Sequence, residues 1–348
     1  MTQDRHGPTI GVAVVAAAVL VTLSAHSVCA ASVTEIHYAM GTYLAITVQG
    51  VAQARAREVM RGCFAEARRL EAVFSRYDPL SELSRLNASI APASSVSDDM
   101  ADLVRRSSAL RAATDGAFDV SIGGLTALWR TTAQRPPAGV LAREGGQPNR
   151  VRLRGRTLTR SAAAVQLDFD GVAKGYAVDR CVTGLRSAGI GRALINFGES
   201  SQYALGVPEG EPGWSIAVRG SDPDTIIGTV RLRDEALSAS AVFGHERTLG
   251  GRRVGHIINP ASGEPLESDA LALVVASDAT TAEAFSKAVL IWGEATSSPR
   301  SLSAKLAASR HLRGALYVRA DQTTTWRANR IRFSPASRPL RIAEAPLS

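Results

Sequence analysis

The chain has 348 residues, of which 45% are hydrophobic, so it is long enough to bury one large core or two modest ones. The 40 basic residues, against 32 acidic ones, give a formal charge of +8, and nearly all of the excess is arginine. Such a charge suits an anionic partner, but the basic residues are dispersed and aromatic residues make up only 5% of the chain. Because this composition gives no stacking platform for bases, we expect no binding to nucleic acid.

The N-terminal segment has the pattern of an export signal. Arg5 precedes an apolar stretch over residues 10–23, and the short side chains of Val28 and Ala30 suit cleavage after Ala30. The stretch is shorter than the roughly 20 residues that span a bilayer, and an uncleaved membrane anchor is the alternative. We therefore expect residues 1–30 to be a signal peptide, and the mature chain to be periplasmic without spanning the membrane itself.

Cleavage after Ala30 would leave two cysteines, Cys63 and Cys181. Both fall on the apolar faces of predicted helices, and two cysteines in a chain of this length are too few for a disulfide framework. We expect two buried free thiols, with a disulfide between them as the alternative. The cysteines and histidines do not follow the spacing of a metal site.

Hydrophobic periodicity predicts three long helices. Apolar residues spaced for one helical face mark residues 52–74, 98–113 and about 281–292. Ser81-Glu82 is expected to open a further short helix. Residues 133–150 are rich in glycine and proline and are expected to form a flexible loop.

Alternating or continuous apolar runs predict the strands. They are residues 43–48, 193–196, 214–218, 228–232, 271–276, 315–319 and 325–332, with a hairpin over 151–159. Helices and strands are interspersed, and several strands are paired like hairpins. This order predicts an α/β (α+β) fold with a mixed, largely antiparallel sheet and flanking helices. Residues 334–348 are expected to be an extended or disordered tail.

Residues 168–179 carry the clearest chemical signal in the chain. A predicted strand ends at Phe169, Gly171 and Gly175 flank Lys174, and an apolar helical pattern follows. Backbone N–H groups at the positive end of a helix, together with an ammonium, are suited to a phosphate group. The alternative is an ordinary strand, turn and helix with a surface lysine, and the spacing is not that of a Walker loop.

Short motifs along the chain resemble, in their order and spacing, those of the FAD:protein FMN transferases, the ApbE family. They are Met40-Gly41-Thr42, Ser75-Arg76-Tyr77-Asp78 with Ser81-Glu82, Thr114 to Asp119, Asp168 to Asp179, Asn196-Phe197-Gly198, and His256-Ile257-Ile258-Asn259-Pro260. Each motif is weak by itself, whereas the set is specific. The resemblance covers roughly residues 36–320 and implies a single ApbE or T-fold-like domain over residues 31–333.

This resemblance implies a reaction as well as a fold. The chain would take FAD as substrate, with Mg²⁺ at the pyrophosphate, and would transfer FMN to a Ser or Thr hydroxyl of an acceptor protein with release of AMP. The acceptor is expected to be an extracytoplasmic redox protein, for example a subunit of a membrane redox complex. A non-catalytic FAD-binding protein or flavin donor, and a periplasmic FAD pyrophosphatase, are the alternatives.

The resemblance also implies roles for individual residues. Those expected to contact FAD are Met40, Tyr77, Asp78, Asp119, Lys174 and Ile257. His256 is expected to be catalytic, because an imidazole with a pKa near neutrality can accept the proton of an attacking hydroxyl. A solvent-exposed loop histidine is the alternative for His256.

The metal positions implied by the resemblance are unusual in this chain. The family takes one ligand from the carbonyl at Gly171, and two more from an Asp and a Thr that lie four residues apart on one helix face. Here Glu283 and Lys287 occupy the last two positions. An ammonium cannot ligate a cation and would repel it.

Three interpretations of this departure remain open. Lys287 could replace the cation, by touching the pyrophosphate or by pairing with Asp170 or Glu283. Alternatively, Glu283 and Asp170 could form a metal site while Lys287 turns toward solvent. A shifted alignment would instead give the role to a nearby hydroxyl, and the candidates are Thr280, Thr281 and Ser286.

Overall fold

The fold is described from a computed structural model of the chain. The described residues are 32–221, 225–244, 246–296, 302, 304–306, 309, 311–319, 325–329, 331–336 and 343–344. The predicted signal peptide over residues 1–30 lies outside them. In this described part, no helix is both long enough and apolar enough to cross a membrane.

Most helices begin and end close to where periodicity and capping residues predict, but those over residues 123–131 and 138–144 are not predicted. They are α1 (Gln53–Phe74), α2 (Glu82–Ala88), α3 (Asp98–Ala113), α4 (Gly123–Thr131), α5 (Ala138–Glu144), α6 (Ala173–Ser187) and α7 (Ala279–Ala295). Ser81 caps α2 by accepting from Ser84 N at 2.9 Å, and Ser97 caps α3 by accepting from Met100 N at 3.2 Å.

The strands are short, and most belong to one sheet. In the first half of the chain they are β1 (Ser32–Ala39), β2 (Thr42–Gln49), β3 (Ala93–Ser95), β4 (Val151–Arg154), β5 (Thr157–Arg160), β6 (Ala193–Phe197) and β7 (Ser201–Leu205). In the second half they are β8 (Trp214–Arg219), β9 (Ile226–Leu232), β10 (Glu235–Ala241), β11 (Arg247–Leu249), β12 (Arg252–Val254), β13 (Ala270–Ala276), β14 (Leu312–Arg319), β15 (Thr325–Asn329), β16 (Phe333–Pro335) and β17 (Ala343–Glu344).

A nine-stranded sheet in the order β1-β2-β6-β7-β10-β13-β14-β15-β17 organises the fold. Its pairs are antiparallel except for β15 with β17, so the predicted antiparallel character is confirmed. Smaller sheets are formed by β16-β9-β8, by β3-β5-β4 and by β11-β12. The start of the predicted C-terminal tail belongs to β16 and pairs with β9.

Strand β13 lies at the centre of the core because both of its faces are buried. Ala272 and Val274 point to one apolar cluster, which also contains the inward faces of α1, α6 and α7. Leu271 and Leu273 point to a second cluster, shared with β8 and β9. The continuous apolar run of β13 is the pattern expected of a strand that is covered on both faces.

Two local predictions are wrong. The predicted strand ending at Phe169 is an irregular extended segment, held by hydrogen bonds from Gly123 N to Gln166 O and from Asp168 N to Val120 O, both 2.9 Å. The segment 133–150 is not all loop, since it contains α5. In the first segment the backbone hydrogen bonds are made to residues that are distant along the chain and that a local pattern does not reveal.

The two cysteines form a disulfide, so the expectation of free thiols is also wrong. Cys63 on α1 and Cys181 on α6 lie with their Cα atoms 4.9 Å apart. Both residues are buried, at 5% and 3% exposure. Periodicity places each cysteine on a helix face, but it does not say which two helices are neighbours.

Candidate active site

A cleft of about 680 Å³ opens between the β1–β2 hairpin, the end of α1 and the start of α6. Met40, Tyr77 and Lys174 line it, as does Asp170. The volume falls within the range of about 300–1,000 Å³ that is typical of small-molecule sites. Three of the predicted FAD-contacting residues are therefore brought together around one cavity.

Lys174 lies in the first turn of α6, at the edge of this cleft. The N-cap residue Val172 makes no side-chain cap, so the positive end of the helix is not neutralised by its own capping residue. Lys174 Nζ donates a hydrogen bond of 2.6 Å to Ser200 Oγ. The cleft thus receives a side-chain ammonium at the N-terminal end of a helix, which suits phosphate, while the N–H groups of Ala173 and Gly175 in this turn already donate to Phe169 O and to Glu283.

Gly175 allows α6 and α7 to approach closely. A Cβ at this position would lie 2.5 Å from the carbonyl oxygen of Ala279, so only glycine fits. The approach also lets Gly175 N donate to Glu283 Oε2 at 2.8 Å. Ser201 Oγ donates to the other carboxylate oxygen, and Glu283 is fully buried.

Lys287 lies one helical turn after Glu283 and beside Gly171. The distance from Lys287 Nζ to Glu283 Oε1 is 4.0 Å. Lys287 Cε packs beside Gly171, 3.8 Å from where a Cβ added to that glycine would lie. The side chain is 19% exposed. Burial lowers the pKa of Lys287 to about 8, with Glu283 acting in the opposite direction and Lys174 lowering the pKa further.

These residues do not fit a divalent cation. Both oxygens of Glu283 already accept hydrogen bonds from the protein, and an ammonium stands where the resemblance implies an oxygen ligand. Across the residues that the structure describes, no three His, Cys, Asp or Glu side chains come together in a way that could hold a metal ion.

The structure also disagrees with the two interpretations that retained a metal site. Lys287 is largely buried rather than turned to solvent, and Asp170 pairs with Arg76 at 3.4 Å and with the hydroxyl of Tyr77 at 3.2 Å. The hydroxyl of Thr280 donates to Asp179, and that of Ser286 bonds to Ser240 at 2.7 Å. Thr281 lies in the first turn of α7, where its backbone N–H is capped by Asp278.

Tyr77 presents an exposed ring at the mouth of the cleft, with 71% exposure. The guanidinium groups of Arg76 and Arg130 lie 5.6 and 5.1 Å from the ring centroid, and Arg130 Nη1 donates to the Tyr77 hydroxyl at 2.9 Å. Arg76 is itself anchored by an ion pair with Asp168. The mouth therefore combines an aromatic surface with positive charge.

The carboxylates of Asp78 and Asp119 are used by the fold. Asp78 Oδ1 accepts from Leu80 N at 2.8 Å. Asp119 Oδ2 accepts from Arg111 Nε at 2.6 Å, and its Oδ1 accepts from Ser121 N at 2.8 Å. Asp119 is buried, whereas Asp78 is exposed, and the FAD contacts expected at both positions remain predictions.

Met40 owes its place to the turn between β1 and β2. Met40 and Gly41 have φ values of +47° and +75°, which is the two-residue hairpin turn that favours glycine at its second position. This turn brings the Met40 side chain to the cleft.

His256 lies in an exposed bend after β12. The next residue, Ile257, is buried, and its carbonyl accepts from Leu266 N at 2.8 Å. Gly146 lies between this segment and the Asp119 loop. Its N–H donates a hydrogen bond of 2.7 Å to Pro260 O, and a Cβ added at Gly146 would lie 3.1 Å from Asp119 Oδ2. The cleft lining does not include His256, and its predicted role remains a prediction.

The sequence gives no role to three residues that form hydrogen bonds at the site. Ser200 bonds to Lys174, Ser201 to Glu283, and Arg130 to Tyr77. No local motif marks them, because each contact joins elements that are distant along the chain.

Solved structures of ApbE proteins have the same fold. An ApbE protein from Thermotoga maritima superposes with a TM-score of 0.76 and 22% identity, over 86% of this chain and 97% of its own. A flavinyl transferase ApbE from Pseudomonas stutzeri, in its apo form, gives a TM-score of 0.72 and 24% identity, over 86% and 95% of the two chains. The chain therefore has the α/β architecture of the ApbE flavin transferases.

Sequence relatives and a family model agree with this class. A FAD:protein FMN transferase from Rhodobacter capsulatus is 32% identical over 276 residues, which are 76% of this chain and 52% of the relative. One from Salmonella typhimurium is 28% identical over 270 residues, or 73% and 77% of the two chains. The ApbE family model matches residues 40–306, and the chain belongs to the ApbE family.

Proposed function

We propose that this protein is a FAD:protein FMN transferase that moves FMN from FAD to a Ser or Thr hydroxyl of an acceptor redox protein. The observation that carries the proposal is the cleft of about 680 Å³ in which Lys174 stands at the N-terminal end of α6. Relatives from Rhodobacter capsulatus and Salmonella typhimurium are named for this reaction. Phosphoryl transfer depends mainly on positioning and charge stabilisation, and this cleft supplies both.

In the proposed step, the acceptor hydroxyl attacks the FMN phosphorus of FAD, and the P–O bond to the AMP phosphate breaks. The new P–O bond joins FMN to the acceptor as a phosphoester, and AMP leaves with the bonding electron pair. A ring nitrogen of His256 accepts the proton that the hydroxyl loses. The Lys174 ammonium, at the N-terminal end of α6, stabilises the negative charge on the diphosphate.

We also propose that the protein works in the periplasm, on an extracytoplasmic acceptor. The apolar N-terminal segment has the features of a signal peptide, and the disulfide between Cys63 and Cys181 supports an oxidising compartment. Fractionation of expressing cells, with the mass of the processed chain measured, tests this part of the proposal. Recovery of the unprocessed chain from the cytoplasm would contradict it.

The reaction is tested by incubating the purified protein with FAD and an acceptor protein of the Rhodobacter capsulatus relative. Release of AMP together with a flavin-labelled acceptor supports the transferase. Release of AMP with free FMN would show a pyrophosphatase instead, and intact bound FAD would show a binding protein.

The role of His256 is tested by His256→Ala. Loss of a general base lowers the rate of labelling by about 10²-fold or more. The affinity for FAD, measured by calorimetry, should change little because the diphosphate contacts remain. His311→Ala is the matched control, since His311 is exposed and lies just before β14. Normal labelling by the His256 variant would remove this histidine from the mechanism.

A further inference from the structure

Lysine is rare in this chain, and two of its lysines lie close to each other. The sequence contains three lysines, Lys174, Lys287 and Lys305, whereas lysine and arginine together number 40. Lys305 lies at the surface, where it pairs with Asp115 at 3.2 Å. The other two lie close enough for the charge of Lys174 to lower the pKa of Lys287.

Neighbouring serines connect the two lysines. Lys174 donates to Ser200, and the next residue, Ser201, donates to Glu283, which in turn pairs with Lys287. Glu283 is the acidic partner of Lys287, and Asp170, which lines the cleft, is held by Arg76 and Tyr77. Lys174 and Lys287 thus lie near one fully buried carboxylate, while the carboxylates of Glu71 and Asp170 line the cleft itself.

A largely buried ammonium group favours an anion as its partner. Bringing a charge out of water is unfavourable unless an opposite charge compensates it. Lys287 is 19% exposed and has Glu283 at 4.0 Å, beyond hydrogen-bond distance. Its three N–H donors therefore suit the oxygens of a bound diphosphate.

We propose that the Lys287 ammonium takes the place of the divalent cation beside the FAD diphosphate, so that this protein binds FAD without a metal. The inference rests on the proposed function, because it assumes that FAD occupies the cleft. Lys174 and Lys287 would then neutralise the diphosphate together, and Glu283 would hold Lys287 and the start of α6 in position.

The first experiment needs no variant. Binding of FAD to the wild-type protein is measured by calorimetry in EDTA and in MgCl₂. The dissociation constant should differ by less than about threefold between the two buffers, because the protein's own ammonium supplies the charge. A loss of about tenfold or more in EDTA would overturn the inference.

The second experiment changes the charge at residue 287. Lys287→Met keeps the length of the side chain and removes its charge, so FAD should bind about tenfold more weakly in either buffer. Lys287→Thr also removes the ammonium, so FAD affinity in EDTA should fall by about as much as in Lys287→Met. Unchanged affinity of Lys287→Met in EDTA would overturn the inference.

Lys305→Met is the matched control, and its FAD affinity should equal that of the wild type. Thermal melts of all variants by circular dichroism separate a loss of binding from a loss of folding. If the wild type binds no FAD in either buffer, the proposed function fails. If it binds FAD only with Mg²⁺, the proposed function stands and the role of Lys287 is refuted.

Discussion

Asp119 is a residue whose side chain serves the fold at the edge of the site. Its carboxylate accepts from Arg111 and from the backbone and hydroxyl of Ser121, and the side chain is 2% exposed. These hydrogen bonds anchor a loop that lies beside two glycines. Asp119 lies beside Gly146, and Phe118 lies beside Gly171. Asp119 therefore anchors its own loop, and it does not itself line the cleft.

Asp119→Ala should lower the free energy of unfolding by about 2 kcal/mol, because charge-assisted hydrogen bonds are lost from a buried group. Urea denaturation measures the change. Asp102→Ala on α3 is the control, since its ion pairs with Arg105 and Arg106 are on the surface and contribute at most about 1 kcal/mol. Equal effects of the two substitutions would contradict a structural role for Asp119.

The cleft residues that can be predicted from the sequence are those in compact motifs. Lys174 is identified by its flanking glycines, and Met40 by the resemblance of the Met40-Gly41-Thr42 motif to the family. Ser200 and Ser201 escape prediction because their partners, Lys174 and Glu283, lie on other elements. The state of Lys287 is likewise decided by Gly171 and Glu283, which only the fold brings to it.

At the scale of single elements, the junction of α6 with α7 determines the geometry of the cleft. Gly175 meets the first turn of α7, and Asp179 accepts from Ala279 N at 2.7 Å and from Thr280 N at 3.1 Å. One helix thus caps the other, and the N-terminal turns of both are aligned by the same contact.

Gly175→Ala should reduce stability by about 1–3 kcal/mol, because the added methyl group overlaps the backbone of Ala279. The displacement of α6 should also weaken FAD binding. Gly184→Ala, on the same helix, has nothing within 4 Å of its new methyl group and should instead stabilise by about 0.5–1 kcal/mol. Thermal melts and calorimetry with FAD compare the two, and a stable, FAD-binding Gly175→Ala variant would contradict the packing argument.

Asp179 should make stability depend on pH. Burial, reinforced by the charge of Asp278, raises its pKa from 3.8 to about 6 in the folded protein. Because the folded state holds this proton more tightly, the stabilisation is full below about pH 4 and is lost as pH rises through about 6. The loss is on the order of 3 kcal/mol.

The measurement compares urea denaturation of the wild type and Asp179→Asn at about pH 4 and about pH 7. Wild-type stability should fall relative to that of the variant as the pH rises, since the amide does not titrate. A constant difference between the two proteins would show that Asp179 does not titrate in this range.

Helices are predicted better than strands in this chain, for a physical reason. The limits of α1 and α3 follow from their apolar stripes and, for α3, from the Ser97 cap, which are local features. Strand β10 is missed because its buried face carries Ser238 and Ser240, which are satisfied by Ser286 on α7. A strand whose polar groups find partners across the core does not show the apolar pattern that prediction requires.

For the whole molecule, the disulfide is the covalent link between distant parts of the chain. Cys63 and Cys181 are separated by 118 residues in sequence and join two helices of the main core. The fold class was predictable from the order of elements, whereas this link depends on the packing of α1 on α6.

Reduction of the disulfide should lower the free energy of unfolding by about 4 kcal/mol, because a long loop is released in the unfolded state. Denaturation curves with and without dithiothreitol measure the effect. The double variant Cys63→Ala with Cys181→Ala should not respond to the reductant. Coincident curves for the oxidised and reduced wild type would show that the link adds no stability.

The scarcity of lysine has a practical consequence for anyone who handles this protein. Reagents that couple to ε-amines have three side-chain targets, of which Lys174 lines the cleft and Lys287 is the residue that we propose to meet the diphosphate. Amine-directed dyes, crosslinkers and immobilisation resins are therefore a poor choice for work on an active preparation. A cysteine introduced on a remote surface, with the native pair kept oxidised, offers a tether that leaves both amines intact.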